Sequence, residues 1–269
     1  MAGLITMRKT VSPKVVLCDL DGVVWLAHQP IPGSVKAIES LREAGIRVVF
    51  VTNNSFSTYD EQVAALGSIG IAAEGDIVTS AMSAATAMKS HWRVLVCGGR
   101  GLIEEISRVT DKVVVAYNEP MAQGPFDAVV VGFHREFNYQ VLADALTAVR
   151  GGAVLIGSND DPTYPTPNGP IPGGGSILAA IEKASGVVPV VTGKPYEPMA
   201  QLVRDVCGDV SPDDMVMVGD RSDTDGGFAR ILGARFAMVL SGVMASADGV
   251  DVDIVAADLS AVAEILLQE

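Results

Sequence analysis

The chain has 269 residues, of which 49% are apolar, and a formal net charge of −13 at pH 7. The length suits one large α/β domain or two modest ones. The acidity argues against nucleic acid or an anionic membrane as partner, because both require basic surface, and no apolar run reaches the ~18 residues of a membrane helix.

The opening MAGLITMRKT lacks the long apolar segment and small-residue cleavage site of a secretory signal, and residues 1 to about 13 read as a loose arm. Short β-branched runs then recur: Val15–Leu17, Val48–Val51, Val94–Val96, Val113–Val115, Ala128–Val131, Val154–Ile156, Val187–Val191, Met215–Val218 and Phe236–Val239. Their apolarity is continuous rather than alternating, which predicts strands covered on both faces. Helix-like segments lie between most of them, among them Ser34–Ala44, Tyr59–Ser68, Tyr139–Val149, Ser176–Ala184 and Pro198–Val206. Alternating β and α units predict a doubly wound, Rossmann-like, mostly parallel sheet. Ser158 to Gly175, SNDDPTYPTPNGPIPGGG, is rich in Pro, Gly and Asn and reads as an irregular loop. A loop that long is often functional, and Asp160, Thr163 and Tyr164 are its candidates for reaching a ligand. Paired Gly226 and Gly227 are poor helix formers, so the helix after Asp225 is expected to start late.

Cys18, Cys97 and Cys207 are far apart in the chain, with no CxxC pair, which suits buried thiols in a reducing cytoplasm. His28, His91 and His134 are equally scattered and make a poor zinc set.

Ligands of an open parallel sheet bind beyond the carboxyl ends of its strands. Four apolar runs are followed there by polar groups. Asp19 and Asp21 follow the first, and Thr52, Asn53 and Asn54 follow the second. Lys194 follows the run ending at Val191, and Asp220 with Asp225 follows Met215–Val218. Each alone has a bland explanation: Asp-Gly is ordinary turn chemistry, TNN can cap a helix, and a lysine can simply be solvated. Together they suit phosphoryl transfer. Asp19, Asp21 and Asp220 offer the oxygen ligands that Mg²⁺ prefers, and Lys194 can cancel charge on the transferring group. The Thr52 hydroxyl and the N–H groups after it can hold phosphate oxygens. One acid can attack as a nucleophile while a second moves protons.

The ordered segments DLDGVVW, VTNNS, GKP and VGDRSDTD resemble the four motifs of the haloacid dehalogenase (HAD) superfamily. The flanks PIPGSVKAIESLREAG and GGGSILAAIEKASG resemble its subgroup of phosphoglycolate, pyridoxal, NagD and 4-nitrophenyl phosphatases. The resemblance implies a role at each position. Asp19 is implied as nucleophile and Mg²⁺ ligand. Asp21 is implied as general acid/base, with its backbone carbonyl a second ligand. Thr52 is implied as phosphate binder, with Asn53 and Asn54 beside it in the substrate loop. Lys194 neutralises charge, Asp220 is the third acidic ligand, and Asp225 lies near the metal's water shell.

Roughly 140 residues separate Thr52 from Lys194, whereas a strand-to-strand crossover needs only about a dozen. The resemblance implies a large α/β cap in that slot, placed at residues 81–188, hinged over a catalytic core of 1–80 and 189–269. Relatives often pair through their caps, so a homodimer is one option. Tyr164 stands where pyridoxal-phosphatase-like relatives tend to have histidine, which weakens transfer of that specificity. The expected substrate is a small phosphorylated metabolite. Phosphoglycolate, glycerol phosphate, sugar phosphates, nucleoside monophosphates and pyridoxal phosphate all stay open.

Four rivals are weaker. VLVCGGRGL has glycines after a strand but lacks the full GxGxxG spacing of a dinucleotide site. A dehalogenase would leave Asp21 and Asp220 without a purpose. A phosphomutase must recapture its intermediate, and the late, large insertion resembles the phosphatases better. An inactive scaffold has no need of an intact acid and lysine set.

Overall fold

The computed structural model describes residues 12–26, 28–118, 124–164, 166, 169–244 and 246–269. Most of the expected N-terminal arm, residues 1–11, lies outside the described residues. The chain opens with β1 (Val15–Cys18), a small hairpin of β2 (Trp25–Leu26) and β3 (Gln29–Pro30), α1 (Ser34–Glu43), β4 (Arg47–Thr52), α2 (Tyr59–Ser68), β5 (Ile77–Thr79) and α3 (Ser80–Thr86). It continues through β6 (Val94–Cys97), α4 (Arg100–Ser107), β7 (Val113–Val115), β8 (Ala128–Val131), α5 (Tyr139–Arg150) and β9 (Val154–Gly157). A second hairpin, β10 (Thr163–Tyr164) and β11 (Ile171–Pro172), leads to α6 (Gly174–Ser185) and β12 (Val190–Val191). The last part holds α7 (Glu197–Cys207), β13 (Met215–Gly219), α8 (Gly227–Leu232), β14 (Arg235–Val239), β15 (Ile254–Ala256) and α9 (Leu259–Leu266).

Two parallel sheets result. The first has six strands in the order β15-β14-β13-β1-β4-β5, and the second has five in the order β12-β9-β8-β6-β7. Successive side chains of a strand point to opposite faces, and both faces of the first sheet are dry. Val16, Cys18, Val48 and Val216 pack with Ile38 and Leu41 of α1 and with Val262 and Leu266 of α9. Val15, Leu17, Val49 and Met217 pack with Met199 and Val203 of α7 and Phe228 of α8. This double burial explains the continuous apolar runs. Each such side chain, fully buried, contributes about 1.5–3 kcal/mol. The second sheet repeats the plan. Leu95, Val129 and Leu155 meet α5 and α6 on one face, and Val94, Val130 and Ile156 meet α3 and α4 on the other.

Three local expectations change. The strand expected over Val187–Val191 is only Val190–Val191, because Val187 and Val188 are exposed. The segment Ser158 to Gly175 is not wholly irregular, since it carries the β10–β11 hairpin and the first two residues of α6. The helix after the fourth motif does not start late. A wide π-helical turn over Ser222–Gly226 runs directly into α8, with Gly226 and Gly227 packed beneath Phe236 and Pro195.

Candidate active site

Chain order reverses beside β1: β4 and β5 extend the first sheet one way, and β13, β14 and β15 the other. A crevice opens at the carboxyl ends of strands at such a switch point. Asp19 follows β1, Thr52 ends β4, and Asp220 follows β13. The second sheet contributes its own carboxyl ends to the same place. Phe133 lies two residues past β8, Asn159 two past β9, and Lys194 three past β12. These residues, with Asp21, Asn53, Asn54 and Tyr164, line one cavity of about 380 Å³.

Lys194 is the electrostatic centre. Its Nζ donates to Asp19 Oδ1 at 2.8 Å and to Asp225 Oδ1 at 2.7 Å, and its side chain is 2% exposed. Burial works against its charge, but Asp19 and Asp225 outweigh that and hold its pKa above the ordinary lysine value. Burial pushes Asp19, Asp21, Asp220 and Asp225 each up to about 6. Lys194 pulls Asp19 and Asp225 the other way, and the neighbouring acids add to the rise. Four carboxylates therefore crowd one ammonium, an arrangement short of positive charge.

Among the described residues, Asp19, Asp220 and Asp225 each offer a carboxylate oxygen within 4.8 Å of the others. A compact set of buried hard oxygen donors fits a magnesium-type cation. Asp220 is steadied by the Val243 N–H, which donates to its Oδ2 at 2.6 Å. Gly22 sits beside it with φ 88°, and a side chain there would collide with the Asp220 carboxylate. Asp225 Oδ2 accepts from the Arg221 backbone N–H at 3.2 Å. Asp21 lines the cavity but stands outside the three-acid cluster.

The expected substrate loop is tightly organised. The Asn54 N–H donates to Thr52 Oγ1 at 3.0 Å, and Asn54 Oδ1 accepts from the N–H groups of Phe56 and Ser57 at 2.9 and 3.2 Å. Thr52 is buried, and its hydroxyl hydrogen can still be given to an anion. Asn53 also lines the cavity, but its amide is engaged by Lys194 and Asp161.

In the hairpin loop, Thr163 and Tyr164 face the cavity. The Tyr164 ring stacks on Phe133 at 4.6 Å and 6°, and its OH accepts from Asn54 Nδ2 at 3.4 Å. Asp160 does not join them. It is exposed and accepts from the Tyr196 hydroxyl at 2.5 Å. Asp161 lines the cavity instead, alongside Asn159, Arg221, Thr224 and Val243, which the motifs did not single out. One signal pointed to Asp161: it is the second acid of a pair in an unusual loop. The GGRG glycines open α4 against the core loop, where the Gly101 N–H donates to Phe56 O at 2.9 Å, so they bear no cofactor cradle.

Similarity to known proteins agrees with this geometry. A haloacid dehalogenase-like hydrolase family model matches residues 16–110, and a second HAD-like hydrolase model matches residues 191–262. The p-nitrophenyl phosphatase from Archaeoglobus fulgidus has a solved structure that superposes with a TM-score of 0.84 and 31% identity, over 95% of this chain and 100% of that one. The chain belongs to the haloacid dehalogenase-like hydrolases. Another member, the D-glycerol 3-phosphate phosphatase of Mycobacterium tuberculosis, is 38% identical over 87% of this chain. The match spans just under two thirds of that relative, 65% of its length. A glycerol phosphate phosphatase structure from the same organism, in complex with magnesium, superposes with a TM-score of 0.79 at 34% identity, over 93% of this chain and 76% of that one.

Proposed function

We infer that this hydrolase is a Mg²⁺-dependent phosphatase that cleaves small phosphate monoesters through an aspartyl-phosphate on Asp19. The observation that carries the reading is Lys194, buried and bonded to both Asp19 and Asp225 beside the three-acid cluster. Asp19, Asp220 and Asp225, with the backbone carbonyl of Asp21, would hold the cation. When bound, Mg²⁺ supplies the positive charge that lets a carboxylate approach a phosphate. Lys194 lowers the remaining repulsion, and the Thr52 hydroxyl donates to a phosphate oxygen.

Asp19 attacks phosphorus, the ester P–O bond breaks, and the leaving alkoxide takes a proton from Asp21. Asp21, now a carboxylate, takes a proton from water. The resulting hydroxide attacks the phosphoryl group, which releases inorganic phosphate and restores Asp19.

The second sheet, with the segment expected as residues 81–188 and its last strand reaching Val191, serves as the cap that selects the leaving group. Thr163, Tyr164 and Asp161 support a small polar leaving group, such as glycerol, glycolate or a sugar. Exposed Val187, Val188 and Val190 beside the edge strand β12 support pairing of two copies through this unit. Three buried free cysteines suit the cytoplasm.

The direct test is phosphate release from 4-nitrophenyl phosphate, then from a metabolite panel, with Mg²⁺ and with chelator. Turnover only with Mg²⁺ is expected. No turnover on any monoester would favour a binding or scaffold role. Light scattering reports the pairing.

A further inference from the structure

Lys194 must place one ammonium between two carboxylates, yet it lies in no regular element. It falls between β12 and α7, where no ladder or helix takes its backbone groups. Buried backbone groups need partners, and both of these go to a single side chain. The Lys194 N–H donates to Asn53 Oδ1 at 2.8 Å, and the Lys194 C=O accepts from Asn53 Nδ2 at 3.1 Å. The planar amide thus grips one residue by its two polar ends. The other Nδ2 hydrogen goes to Asp161 Oδ2 at 3.0 Å. An amide has two donor hydrogens and an acceptor oxygen, and here all of them are in use.

Three further features fix the grip. Asn53 directly follows Thr52, so β4 sets where it stands. Its carbonyl accepts from Ser80 Oγ at 2.7 Å and from Asn159 Nδ2 at 2.8 Å, one from each side of the crevice. At Gly193 a Cβ would lie 2.6 Å from Asn53 Oδ1, so the absence of a side chain lets the amide reach the next N–H.

We propose that Asn53 is a positioning residue for Lys194 and that Asp161 orients Asn53 in turn, so that the cavity wall of the second sheet is tied to the charge-neutralising lysine. The inference builds on the phosphatase reading. Asn53 spends its side chain on the lysine rather than on substrate.

The test measures kcat and KM for 4-nitrophenyl phosphate with Mg²⁺ in Asn53→Ala, in Lys194→Ala and in the double variant. Asn53→Ser replaces Asn53→Ala if the alanine variant does not fold. A displaced catalytic group can cost about 100-fold; a fall of that size in kcat is expected, with KM nearly unchanged. In the Lys194→Ala background the same change should cost less than about 3-fold, because coupled residues are not additive. Equal losses in both backgrounds would mean a purely structural role and overturn the proposal.

Asn53→Asp sets two carboxylates face to face. Adding Asp161→Asn restores a donor between them and should recover about tenfold in kcat, the worth of one hydrogen bond. No recovery overturns the role of Asp161. A wild type without turnover rejects the phosphatase reading alone. The crystal structure of the Asn53 variant then decides: Lys194 Nζ still bonded to both Asp19 and Asp225 overturns the proposal, and its departure from either supports it.

Discussion

The two walls of the cavity are built differently. On the first-sheet side, Thr52, Asp220 and Asp225 are buried, and each is tied down by named hydrogen bonds. On the second-sheet side, the β10–β11 hairpin has strands of two residues each, with Thr163 exposed and Tyr164 half-buried. Burial makes the first wall costly to alter, because a lost partner strands a charge. The hairpin on the second wall pairs over only two residues per strand, so its exposed side chains can change at smaller cost to the fold. The proposed phosphatase reading places reaction type on the rigid wall and choice of leaving group on the pliable one.

The sharpest way to break that division is Asp19→Asn. Loss of a nucleophile can remove as much as about 10⁶ of the rate, so turnover should vanish while circular dichroism shows the fold intact. Wild-type rates in this variant would move the nucleophile elsewhere.

Next is acidity. In chelator, the cluster acids hold protons to about 6 in the fold, against about 4 in the unfolded chain. Below about pH 4 both states are protonated and this contribution is fully present. As pH rises from there through 6, the unfolded chain releases protons first, so stability is lost. The metal-free protein should therefore melt higher at pH 5 than at pH 7.5, and Mg²⁺ should raise melting most at the higher pH. A flat profile would show that the rigid wall carries no such strain.

On the pliable wall, Tyr164→Ala should shift the ratio of kcat/KM between a bulky and a small ester by about tenfold, the scale of apolar pocket discrimination. An unchanged ratio would remove the hairpin from selection. The smallest effect should come from Thr58→Ala. Thr58 caps α2 through a capping box with Glu61. Its loss costs about 1 kcal/mol of stability, read in a denaturant titration, with kcat unmoved.

The rigid wall was largely legible in the sequence. Its acids, threonine and lysine follow apolar runs, and strand ends dictate where such residues meet. The edge strands β5 and β15 were not, because three residues each of Ile77–Thr79 and Ile254–Ala256 give too short a pattern. Nor were the contacts of Asn53. Its partners Asp161 and Lys194 are 108 and 141 positions away, and nothing local announces them. Asp160 was chosen over Asp161 because adjacent acids in a loop differ only in which way the backbone turns each one.

Lys194 reaches Asp19 across 175 positions of sequence and arrives just after the closing strand of the second sheet. During synthesis Asp19 therefore leaves the ribosome long before the ammonium it pairs with. The chain between them builds every strand of the second sheet, so this ion pair becomes available only after that sheet has been made.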